Sequence, residues 1–128
     1  MWNFSNDRPV YLQIMDVIKL RIATGQYPVG GRIPSVRDLA EDARVNPNTM
    51  QKALSEIERE GYLFSLRTSG KFVTDSPETV SKLKSLLYTD IISEFVSKMR
   101  ELGIDSEQAV TLVKEYTNNE NQSERGND

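Results

Sequence analysis

Prolines and glycines recur so often between Thr24 and Pro77 that this part of the chain can hold only short elements. The breaks fall at Thr24-Gly25, Pro28, Gly30-Gly31, Pro34, Pro47, Gly61, Gly70 and Pro77. Proline lacks an N–H and clashes inside a helix, while glycine supplies the left-handed residue that closes one. Between the breaks, apolar residues return at steps of three and four. Pro9 opens a first helix carrying Val10, Ile14, Val17, Ile18 and Ile22, which ends near Gly25. After a loop to Pro34, Ser35 is an N-cap with Asp38 three residues on, ahead of Val36, Leu39, Ala40 and Ala43. This predicts a second helix over Val36 to Ala43. Arg44-Val45-Asn46 makes a turn, and Asn46 then caps a third helix with Pro47 at its first position. Met50, Ala53, Leu54 and Ile57 are its buried stripe, and Glu58, Glu60 and Gly61 mark its exit.

Two segments rich in aromatic and β-branched residues follow, Tyr62 to Leu66 and Lys71 to Thr74, separated by Arg67-Thr68-Ser69-Gly70. Three helices and then a hairpin is the order of a winged helix-turn-helix. Beyond the Asp75-Ser76-Pro77-Glu78 linker, Val80, Leu83, Leu87, Ile91, Phe95, Met99 and Leu102 form one long apolar stripe that ends at Gly103. Asp105 or Ser106 caps a short last helix with Ala109, Leu112, Val113 and Tyr116. The expected fold is therefore mainly α with a small β-hairpin. A winged helix-turn-helix over residues 1–75 precedes a two-helix dimerisation region over 76–117, and an apolar-free tail over 118–128 is expected to be disordered.

The chain of 128 residues has neither Cys nor His. The commonest general base, the commonest metal ligand and the thiol nucleophile are thus missing, which argues against an enzyme, a metal site or a cofactor. Lack of Cys suits a reducing compartment, and no leader or apolar run of about 20 residues is evident, so a cytoplasmic protein with no membrane association is expected. The net charge of −3 hides an asymmetry: residues 1–74 carry ten Lys and Arg against eight Asp and Glu, net +2, and the remainder six against eleven, net −5. A mildly basic front and an acidic rear separate two tasks.

In a helix-turn-helix the third helix lies in the major groove, about 12 Å wide, and the second crosses the backbone. Asn48, Thr49, Gln51 and Lys52 lie opposite the buried stripe and are the base-reading candidates, with a plain solvated face as the ordinary alternative. Arg37 stands in the first turn of the second helix, where the helix dipole disfavours a cation. Contact with phosphate or guanine explains it better than a weak surface pairing with Glu41. Ser35 and Asn46 combine capping with DNA contact. The wing tip, Arg67, Thr68, Ser69, Gly70 and Lys71, offers two cations, two hydroxyls and a glycine for close approach to a backbone. Arg32 is a further phosphate candidate, and Trp2, Phe4 and Tyr11 are expected to pack at the front of the first helix.

The stretch GGRIPSVRDLAEDARVNPNTMQKALSEIEREGYLFSLRTSGKFV, within Pro9 to Thr74, resembles the GntR family of bacterial regulators. That family has a run G-x-x-[LI]-P-S-x-R-x-L-A, a V-[SN]-x-x-T-[VM] turn and helix, then E-x-E-G-[YL] and a G-[KRT]-x-[FY]-V wing. The resemblance implies that Arg37, Asn48, Thr49, Gln51 and the wing residues near Gly70 touch DNA. Members often have Ser-Arg where this chain has Asn46-Pro47, so one basic base-reader is absent. The form VNPNTM and the C-terminal region of some 54 residues are similar to the small YtrA-type branch, whose two-helix tail serves for dimerisation.

The function so implied is a sequence-specific transcription regulator, a repressor that blocks polymerase at a pseudo-palindromic double-stranded DNA operator. The stripe from Val80 to Leu102 would make it a homodimer, and the YtrA-type branch suggests a transporter operon as target. The tail is too short to enclose a pocket like those of longer members. Any small-molecule effector, of unknown identity, is therefore expected in a crevice of the dimer interface between the tail and the winged helix. The alternative is a winged-helix protein-interaction module, against which the cations Arg37, Lys52, Arg67 and Lys71 speak.

Overall fold

A computed structural model describes residues 2–126, which form two compact units divided between Leu86 and Leu87. The first unit contains α1 (Val10–Ala23), α2 (Val36–Ala43) and α3 (Pro47–Arg59), then a hairpin of β1 (Leu63–Leu66) and β2 (Gly70–Val73). Helix α4 (Pro77–Glu101) begins in the first unit and runs into the second, where α5 (Ser106–Gly126) follows. This is the mainly α, winged helix-turn-helix fold that the sequence pattern implies.

The short helices begin and end where their caps say they should. Ser35 is extended, and its Oγ accepts a hydrogen bond from the Asp38 amide at 3.0 Å. Asn46 Oδ1 accepts from the Asn48 amide at 2.7 Å with Pro47 at the first helical position. Each cap satisfies an amide that the helix leaves without a partner. Helix α2 ends on Arg44, whose φ of 57° and ψ of 48° are left-handed. Its amide still reaches the Ala40 and Glu41 carbonyls. Helix α3 closes through Gly61 at φ 94°, which lets the Tyr62 amide turn back to the Ile57 carbonyl at 3.2 Å.

Helix α3 is the centre of the first unit, in contact with α1, α2 and β1. Its Met50, Ala53, Leu54 and Ile57 are fully buried, as are Ile14, Ile18 and Ile22 of α1. Removing each large aliphatic side chain from water contributes roughly 1.5–3 kcal/mol. The hairpin adds Leu63 and Val73, which face each other across the strands. Among the described residues, no polar or charged side chain is buried in this core. The loop ahead of α2 is more ordered than its glycines and prolines suggest. Arg32 bridges Phe72, the Ile33 amide donates to the Lys71 carbonyl at 3.0 Å, and the Val73 amide donates to the Gly31 carbonyl at 2.9 Å. A single bridge has no periodicity for a sequence to display.

The first compact unit extends to Leu86 and so takes in the first turns of α4 as well as the winged helix-turn-helix expected over residues 1–75. Two expectations differ from the structure. Leu83 is 2% exposed. It belongs to the core and is unavailable to a second protomer, so it leaves the dimerisation stripe. Finally, the segment expected to be disordered from Asn118 continues α5 to Gly126. No proline or glycine interrupts the backbone ladder before Gly126, and the lack of an apolar stripe bears on packing, not on backbone hydrogen bonding. The last two residues of that expected tail lie outside the described residues.

In the second unit, Asp105 Oδ1 caps α5 by accepting from the Gln108 amide at 2.8 Å. Ala109 is buried, whereas Ile91, Ile92, Leu102, Val110 and Tyr116 are exposed. Ile92, Phe95, Val96, Ala109, Val110 and Val113 line an apolar groove of about 460 Å³. Among the described residues no helix is long and apolar enough to cross a membrane.

Two substitutions check this account. Leu83→Ala should destabilise the first unit by about 2–5 kcal/mol in chemical denaturation, as for a buried leucine. Arg44→Gly should raise stability by roughly 0.5–1 kcal/mol, because the left-handed turn suits glycine, and Arg44→Val should lower it. Equal melting temperatures for the two Arg44 variants would contradict the strain at that turn.

Candidate nucleic-acid interface

Burial of one side of α3 leaves the other facing solvent. Asn48, Gln51 and Lys52 are exposed, and Thr49 is half-buried. The Gln51 side-chain amide donates to Ser55 Oγ at 2.9 Å, which leaves its carbonyl oxygen and one N–H for a base edge. Lys52 projects over the ring of Tyr11, its Nζ 3.9 Å from the centroid. Tyr11 thus supports a cation on the polar face of α3 in addition to the packing expected of it. Trp2 does not pack at the front of α1, where it is expected, but reaches the last turn of that helix and the end of α2. Trp2 stacks beneath Arg21 at 4.7 Å, lies 6.0 Å from Phe4, and donates from its indole to Asp42 at 2.7 Å.

The start of α2 and the wing meet. Pro34, Ser35, Leu66, Thr68, Gly70 and Lys71 line an open crevice of about 370 Å³, so the capping serine and the wing tip share one concave surface. Arg37 is 86% exposed, with its Nε 3.5 Å from Glu41. A pair that open to solvent holds the guanidinium only weakly, which leaves it free to turn to phosphate or a base. In the hairpin, Leu66 pairs with Gly70, and the connecting Arg67, Thr68 and Ser69 are exposed. Thr68 has a φ of 68° and Gly70 one of 104°. A side chain at Gly70 would be strained and would press on the Arg32 guanidinium, 3.2 Å from where its Cβ would stand. Arg32, a phosphate candidate from sequence, therefore lies flat against the wing.

Lys71 differs from the free wing cation that its position suggests. Its side chain is 14% exposed, and Nζ donates to Ser65 Oγ at 3.0 Å and lies 3.5 Å from Glu58. The Ser65 hydroxyl, followed by the Lys71 charge, holds the Glu58 carboxyl below its usual range, against the opposing effect of burial. No local sequence signal marks this network, because its members come from α3, β1 and β2. Exposed at the turn between α2 and α3, Arg44 adds a cation to an open crevice with Trp2, Arg21 and Asp42.

Residues 10–73 match the family described as bacterial regulatory proteins, gntR family. The HTH-type transcriptional regulator YhcF of Bacillus subtilis (strain 168) is 38% identical over 114 residues, covering 89% of this chain and 94% of YhcF. The HTH-type transcriptional repressor YtrA of the same organism is 31% identical over 110 residues, 85% of each chain. A GntR family transcriptional regulator from Listeria monocytogenes superposes with a TM-score of 0.83 at 34% identity, over 88% of this chain and 98% of that one. The DNA-binding domain of AraR in complex with operator ORE1 superposes with a TM-score of 0.52 at 25% identity, over 58% of this chain and 93% of that one. With α3 presenting a polar face beside a wing, and with relatives of matching length that are transcription regulators and not enzymes, the chain belongs to the GntR family of bacterial regulatory proteins.

Proposed function

We propose that the protein is a sequence-specific repressor that binds a pseudo-palindromic DNA operator as a homodimer in the bacterial cytoplasm. The observation that carries this reading is the exposed row Asn48, Gln51 and Lys52 on α3, set opposite a fully buried stripe in a fold that AraR uses on its operator. Asn48 and Gln51 present side-chain amides suited to a bidentate contact with adenine. Ser35, Arg37, Asn46, Thr49 and Lys52 supply backbone or base contacts from the helix-turn-helix, and Arg67, Thr68, Ser69 and Gly70 supply them from the wing. Phosphate contacts fix the register, while base contacts confer the specificity.

The apolar surface of the second unit supports the dimer. Ile91 is 68% exposed and Leu102 74%, and Phe95 and Val113 line the groove between α4 and α5. A helix pair with this much uncovered aliphatic surface is stabilised by burial against a copy of itself. Two protomers then bring two recognition helices to half-sites about one helical turn apart. The name of YtrA, a repressor similar over most of its length, supports repression.

Selection from a pool of random duplexes at two salt concentrations should enrich a palindrome, and Arg37→Ala should lose that enrichment, with a cost of about 1–3 kcal/mol if the contact is to a base. No enriched sequence at either salt would transfer the proposal to a protein-interaction module. Ile91→Glu should shift sedimentation from dimer to monomer and weaken binding to the enriched duplex by more than tenfold, since a half-site alone holds few contacts. A variant that remains dimeric would show that the copy docks elsewhere.

A further inference from the structure

The wing and the recognition helix are separate elements, and a winged helix reads DNA only if the angle between them is held. Three side chains span that junction. Glu58 stands on the last turn of α3, while Ser65 and Lys71 are partners across β1 and β2. Lys71 Nζ donates to Ser65 Oγ at 3.0 Å and approaches Glu58 Oε2 at 3.5 Å. Lys71 thus links the strand hydroxyl to the α3 carboxylate, and the Ser65 hydroxyl together with the Lys71 charge holds that carboxyl below its usual range. Lys71 is 14% exposed and Glu58 34%, in contrast to the open Arg37–Glu41 pair. An ammonium held in this way must give up two partners before it can reach a phosphate, whereas Arg67 at the wing tip is exposed and has no such tie to break.

Resting on the reading of α3 and the wing as one DNA surface, we infer that Glu58, Ser65 and Lys71 form a brace that sets the wing against the recognition helix. Glu58 and Lys71 are positioning residues, and Arg67 is the wing cation that meets phosphate. The brace and a simple charge effect make opposite demands. If only charge mattered, removing the Glu58 carboxylate from a surface that binds a polyanion would tighten binding. If Glu58 holds the wing, its loss loosens the hairpin and weakens binding.

The test uses the full-length protein and the duplex enriched from the random pool, with Glu58→Gln, Lys71→Met and the double variant compared with wild type. Each single variant should bind roughly fivefold more weakly, the scale of one partly exposed ion pair. The double variant should match the singles and not multiply their losses, because both remove the same interaction. Tighter or unchanged binding by Glu58→Gln, with Lys71→Met alone weakened, would overturn the brace and make Lys71 a phosphate contact. Amide exchange supplies a readout that needs no DNA. Hairpin amides from Ser65 to Phe72 should exchange faster in Glu58→Gln while those of α1 keep the wild-type rate. Unchanged hairpin exchange would overturn the proposal even where no duplex is enriched, and a failure of enrichment alone counts against DNA binding and not against the brace.

Discussion

The burial of four side chains on one face of α3 is the constraint on which the first unit depends. Met50, Ala53, Leu54 and Ile57 are inaccessible to water, and α1, α2 and β1 all pack against this helix. Thirteen residues are too few for a helix to be stable alone in water, so α3 exists because its apolar side is covered. The same covering fixes its rotation, and the rotation puts Asn48, Gln51 and Lys52 outside. The buried face and the polar face belong to one helix, and a change in either that rotates α3 alters the other.

Much of this was legible in the sequence because the breaks and caps are local. Ser35, Asn46, Pro47 and Gly61 each act on backbone groups within a few residues of themselves, and the bounds of α2 and α3 follow from them. What escaped was what depends on residues far apart in the chain. Lys71 looks like a free cation until Glu58 and Ser65 are brought to it. Tyr11 looks like packing until Lys52 is placed over its ring. Leu83 fits the apolar stripe of α4 as well as its neighbours do, and only the three-dimensional fold assigns it to the core. The polar end of α5 is illegible for another reason: apolar periodicity detects a helix that packs, and a helical segment without apolar residues gives no such signal.

The charge asymmetry of the chain acquires a structural sense. Its first 74 residues are only slightly basic, and two of their carboxylates are paired with cations outside the candidate site residues. Asp16 is paired with Arg8 at 2.7 Å, and Glu60 with Lys19 at 2.7 Å. Glu41 and Glu58 remain beside Arg37 and Lys71 on the candidate surface, so its positive character depends on the exposed cations that have no such neighbour, such as Arg67. The second unit is governed by a different interaction. It exposes Ile91, Ile92, Leu102, Val110 and Tyr116 among its charged residues, and association through those apolar side chains would depend less on salt than contact with a nucleic acid does.

The bridge between Arg32 and Phe72 has a mechanical meaning. Through it, the segment that leads into α2 is hydrogen-bonded to β2, so the start of that helix and the wing are fastened to each other at two amides as well as through the core. A force applied to the hairpin tip is therefore delivered to Ser35 and the first turn of α2 without passing through α3. The start of α2 and the wing thus share backbone bonds that do not involve α3, and separating one from the other would break them.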